Sequence, residues 1–114
     1  MDESFSAEEL KKRIEHFDSI EEKFGIRLQN FSVNVLGICR MALFCEVLAT
    51  DLELAKKGFN IEVAVYDSDD NVVDFLSIKR YRDDFEGFEV FSFGDLRLDI
   101  PLEEIGKIRF YPTR

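Results

Sequence analysis

The chain has 114 residues and a formal charge of -9, from 24 acids against 15 bases; 46% of it is hydrophobic, with twelve Phe and no Trp. That length fits one domain, which buries roughly 65% of its unfolded surface and needs no disulfide or metal to hold together. The negative charge repels phosphate backbones and anionic membrane surfaces, so neither nucleic acid nor membrane is an expected partner without a segregated basic patch.

Residues 5–24 read as an N-terminal amphipathic helix. Leu10, Ile14, Phe17 and Phe24 fall near one face, and Lys11, Lys12, Arg13 and Glu15 fall elsewhere. Ser6 with Glu9 has capping-box spacing. Ser19 with Glu22 repeats it, which allows a break near Asp18 and a restart. Gly25 stops the helix.

Strand patterns occupy residues 25–114. Phe24, Ile26 and Leu28 alternate, and Phe31, Val33 and Val35 alternate in the opposite phase, so a bulge is expected near Gln29-Asn30. A turn is expected at Leu36-Gly37. The next run, 38–49, has one apolar row of Cys39, Met41, Leu43, Cys45 and Val47. Its other row holds Arg40 and Glu46 but also Ala42, Phe44 and Leu48, a half-polar face. Residues 50–58 form a polar connection with room for one helical turn.

From Phe59 to Ile78, apolar residues alternate on both sides of the polar run 67–71, the signature of a β-hairpin. Phe85, Phe88, Phe91 and Phe93 follow, with Phe91 and Phe93 on one face and Val90 on the other. Gly94-Asp95 reads as a turn before the alternation Leu96, Leu98, Ile100. Pro101 starts a short helical turn, and Ile108 and Phe110 point inward from a last strand. About seven short strands after one helix predict a single all-β domain, an antiparallel immunoglobulin-like sandwich.

The segment Val63-Ala64-Val65-Tyr66-Asp67, with a polar turn and Asn71-Val72-Val73 behind it, resembles bacterial immunoglobulin-like β-sandwich domains of the FxLYD type. The resemblance covers the C-terminal half only, and Val63 and Val65 replace the family's Phe and Leu. It implies a binding or structural module, with no catalytic residue to carry over.

No reactive constellation stands out. His16 is the only histidine, placed on the charged helix, so a Cys–His pair with Cys39 or Cys45 requires it to dock on a buried strand face. One His and two Cys make a poor zinc set. Within one continuous strand the two cysteines stand roughly 20 Å apart, too far for a disulfide. Free thiols and an acidic, non-apolar N-terminus point to the cytoplasm. Asp67, Asp69 and Asn71 sit at alternate positions, as calcium ligands do. Val72 stands where such a loop needs Gly and Ile78 where it needs Glu, so turn chemistry explains them and no cofactor is expected. Paired acids such as Asp83-Asp84 fall in turns, where they are solvated. The basic run Lys79-Arg80-Tyr81-Arg82 reads as a solvated strand end.

The phenylalanines carry the functional expectation. Phe44, Tyr66, Phe88 and Phe91 are the candidates for an exposed aromatic surface that binds a protein partner or a second copy of the chain. The N-terminal helix covering that surface is the competing expectation. A small enzyme with a carboxylate-based site, which requires an acid buried in an apolar pocket, and a calcium-stabilised module are the alternatives.

Overall fold

The computed structural model describes residues 6–114. The elements run α1 (Ala7–Lys11), β1 (Ile14–His16), α2 (Asp18–Lys23), β2 (Ile26–Gly37), β3 (Arg40–Ala49), α3 (Leu52–Ala55), β4 (Phe59–Asp67), β5 (Val72–Arg80), β6 (Phe88–Arg97), a 3₁₀ turn (Leu102–Glu104) and β7 (Ile105–Thr113). Two sheets face each other, in the orders β2-β3-β6 and β1-β7-β4-β5. β2, β3 and β6 take the A, B and E places of an immunoglobulin-like sandwich, and β7, β4 and β5 the F, C and C′ places. The expected β-sandwich is therefore present.

Its N-terminal boundary differs from the expected one. The single helix over 5–24, whose first residue lies outside the described residues, is two short helices with a strand between them. Ser6 caps α1 as its spacing predicts, its Oγ accepting from the Glu9 amide at 3.2 Å. The helix then stops, because the edge of β7 offers unpaired backbone groups. β1 runs parallel to β7 with Ile14 opposite Ile108 and His16 opposite Phe110, and the Ile108 amide donates to the Arg13 carbonyl at 3.0 Å. The Arg13 guanidinium holds the junction by donating to the Ile105 carbonyl at 2.6 Å. Satisfying a sheet edge outweighs a few tenths of a kcal/mol of helix propensity per residue. The spacing of Leu10 and Ile14 that suggests a helix is met by a bent chain that buries Leu10 and half-buries Ile14.

The phase switch at Gln29-Asn30 is a bulge, with Asn30 at φ 51°. The following turn falls at 38–39, two residues later than Leu36-Gly37. Cys39 therefore lies half-buried in the turn, outside the buried row that keeps Cys45. The Gly94-Asp95 turn is absent: β6 continues through it to Arg97 with a register slip against β3. A Cβ at Gly94 would meet nothing within 4 Å, so the glycine marks the register slip without a close backbone approach. The seven strands thus include β1, which the pattern hides in a helix, and merge two segments that it separates.

Between the sheets the core is aromatic. Phe59 meets Phe85 edge-on at 5.2 Å and lies 6.2 Å from Phe91; Phe93 meets Phe110 at 5.7 Å. Half-buried Phe31 meets Phe110 at 4.9 Å. Such ring pairs add about 0.5–1.5 kcal/mol each beyond area burial. α1 and α2 pack on β2, and α2 also touches β7, so the helices close one side of the sandwich. β5 and β6 end their sheets on the other side.

Candidate functional site

The alternation of β3 and β6 sets what each strand shows. Met41, Leu43, Cys45 and Val47 point inward and are buried, as are Phe91 and Phe93 on β6. The opposite parity faces outward: Leu48 stands across from Phe88, Glu46 across from Val90, and Phe44 across from Ser92. Phe88 is 52% exposed and Val90 53%. Phe44 and Leu48 are half-buried, and Ala42 is covered among them. The result is an apolar strip on the outside of the β2-β3-β6 sheet, interrupted by Glu46 and reaching the edge strand β6.

The strip's charge differs from the rest of the molecule. Arg27, Arg40 and Arg97 share that outer face with Glu46 and Asp95, three bases against two acids on a chain of net charge -9. Arg40 pairs with Asp95 at 2.8 Å and holds its carboxyl below the usual carboxylate range. Glu46 accepts from Gln29 at 3.2 Å and from Asn30 at 2.7 Å. Glu46 and Asp95 are thus paired within the face, with Glu46 lying between Phe44 and Leu48 on β3.

The four expected aromatic residues do not form one site. Phe44 and Phe88 share the strip. Phe91 does not belong to it: it is 1% exposed in the core, because its parity matches buried Phe93, and Arg80 lies 4.6 Å over its ring. Tyr66 sits on β4 in the other sheet, where Lys107 and Arg109 lie 5.2 and 5.1 Å from its ring. Leu48 and Val90 complete the strip; both are legible from the alternation once β3 and β6 are known to be neighbours.

The acidic turn spends its oxygens on itself. One Asp67 oxygen accepts from the Asp69 and Asn71 amides at 2.9 Å each, and the other from the Asn71 side chain at 3.2 Å. The Asn71 and Asp69 hydrogen bonds hold the Asp67 carboxyl below its ordinary range. Turn geometry therefore accounts for Asp67, Asp69 and Asn71 without a cation.

The histidine is placed where its sequence neighbours do not suggest. It leaves the charged helix for β1, and its Nδ1 lies 2.8 Å from Glu21 and 3.6 Å from Asp18. Glu21 is 1% exposed, the buried acid that a carboxylate-based site requires. Its oxygens are engaged: Oε1 accepts from the Leu28 amide at 3.0 Å, and Oε2 from the Phe17 amide at 3.0 Å and pairs with His16. The group brackets β1, α2 and β2 together. A groove of about 510 Å³ opens beside it, lined by Glu21, Arg27, Leu28 and Thr50 among others. No cysteine lines it. Burial first, then the acids Glu21 and Glu46, push the Cys45 thiol up to about 12, which opposes a thiolate nucleophile.

No family model, curated protein or solved structure matches this chain. Its reading rests on its own residues. Among the described residues no helix is long and apolar enough to cross a membrane.

Proposed function

We propose that this domain is a non-enzymatic protein-interaction module that associates with a second copy of itself through the outer face of β3 and β6. The observation that carries this reading is that exposed Phe88 and Val90 share one outer sheet face with half-buried Phe44 and Leu48. Contiguous apolar surface on a soluble domain marks a contact site. A second copy fits because the face is close to neutral, so two copies meet there without the like-charge cost that the rest of the chain imposes. The resemblance to FxLYD-type domains leads to the same class of function.

Sedimentation velocity over a concentration series tests it. The parent chain should shift toward dimer with concentration, and Phe88→Ser with Val90→Ser should remain monomeric at the same concentrations with its melting temperature kept. Identical sedimentation of the parent and the double variant contradicts the proposal.

A second reading is favoured by the Glu21–His16 pair beside its groove. A buried carboxyl that orients an imidazole is the arrangement used by a general base. The full set of hydrogen bonds on Glu21 explains the same geometry as structural bracing, so the interaction reading stands first.

A further inference from the structure

We infer that the cleft between the start of β4 and the end of β5 binds a small phosphate-bearing anion. Five basic residues line it, Lys57, Lys79, Arg80, Arg82 and Arg114, together with Tyr81. No Asp or Glu lines it, although acids outnumber bases in the chain by 24 to 15. The bases come from three separate stretches, before β4, at the end of β5 and at position 114. The fold gathers them; a run of charge in the sequence does not.

Lys12, Arg40, Arg97, Lys107 and Arg109 each lie against an acid. Lys57, Lys79, Arg82 and Arg114 form no ion pair among the described residues. Among the described residues Lys11, Lys23, Arg27 and Lys56 also lack an ion pair, so what sets the cleft apart is that its bases converge on one concavity. Asp83 and Asp84 follow Arg82 in sequence and do not line the cleft, although Asp84 acts electrostatically on Arg80. Basic residues that converge on one concavity favour an anion there, which gains charge-assisted hydrogen bonds.

The cleft is also preorganised. Arg80 is held by Glu89 and by the Phe91 ring. Arg114 donates through Nη1 to the Gly58 carbonyl at 2.6 Å and stacks 4.7 Å over Phe24, which leaves its other donors free for a ligand. Gly58 has φ +98°, and a Cβ there meets the Arg80 carbonyl at 3.1 Å, so the floor stays bare. The volume, about 220 Å³, suits one or two phosphate groups. Tyr81 is 64% exposed beside it and offers a ring for the attached group to stack on. A long polyanion extends past the cleft onto acidic surface and is disfavoured there.

Isothermal titration at low salt with inorganic phosphate, pyrophosphate and ADP tests this inference, with Lys79→Ala plus Arg82→Ala as the variant. Saturable binding is expected for pyrophosphate or ADP, with about a tenfold loss in the double variant. Circular dichroism should show that variant folded and melting with the parent, since neither side chain is buried. ADP binding that Tyr81→Ala weakens while phosphate binding is unchanged identifies a small phosphate ester as the source. Equal binding of phosphate and ADP identifies free phosphate, and either result supports the inference. No binding at about 10 mM pyrophosphate, where even a millimolar site is filled, overturns it. So does equal binding by the double variant, or a single-stranded oligonucleotide that binds more tightly than ADP.

Discussion

Replacing Glu21 by leucine removes the acceptor from three donors at once while keeping a side chain of similar volume in place. The Leu28 amide is buried and the Phe17 amide partly so; both are backbone groups that no substitution can withdraw. An orphaned buried amide costs about 1–3 kcal/mol. His16, with a third of its side chain exposed, turns to water and adds little. Two orphaned amides, less the gain from burying leucine, give a loss of about 2–4 kcal/mol. That is a large share of the 5–15 kcal/mol that typically holds a domain. With a urea slope of about 1–3 kcal/mol per molar, the unfolding midpoint falls by about 1–3 M at unchanged slope. Glu21→Gln keeps an acceptor for Leu28 but turns an amide donor toward Phe17, so its loss is about half as large. His16→Ala leaves both amides bonded and costs least. A midpoint for Glu21→Leu within about 0.3 M of the parent, too small for even one orphaned amide, refutes the bracketing role. So does a His16→Ala loss as large as that of Glu21→Leu.

Three further outcomes follow from packing, titration and thiol exposure. In Gly106→Ala the new Cβ sits 2.5 Å from the Asp67 carbonyl, so β4 or β7 must shift; the expected cost in urea unfolding is about 1–3 kcal/mol, and no loss contradicts the strand contact. For Cys45 the folded thiol has the higher pKa, so the unfolded chain ionises first. Stability is then constant below about pH 8.5 and falls as pH rises toward 12, by at most about 1.4 kcal/mol per unit. Cys45→Ala should flatten that decline in urea midpoints between about pH 8 and 10. Thiol labelling should show half-buried Cys39 reacting fast and Cys45 at the unfolding rate.

The strands were legible wherever one face of the chain meets the core. The hairpin of β4 and β5 follows from period-two alternation around Asp67–Asn71, and the phase switch at Gln29-Asn30 is a bulge because a strand that changes parity needs an extra residue. The N-terminal region was not legible, since Leu10, Ile14 and Phe17 satisfy a helical spacing and a bent chain equally well; only the distant edge of β7 decides between them. Phe91 shows the limit of composition: abundance suggested an exposed ring, whereas its shared parity with Phe93 places it in the core. The apolar strip required knowing that β6 lies beside β3. The cationic cleft was visible only in its 79–82 part, because Lys57 and Arg114 reach it through the fold. Glu21 carried no signal, since one acid among many on a predicted helix does not announce burial.

The self-contact through β3 and β6 is tested most directly by amide spectra recorded from dilute to concentrated protein. Signals from Phe44, Leu48, Phe88 and Val90 should move together with concentration while those of β4, β5 and β7 stay fixed. Movement confined to the β5 edge, or none at concentrations where sedimentation shows dimer, contradicts it.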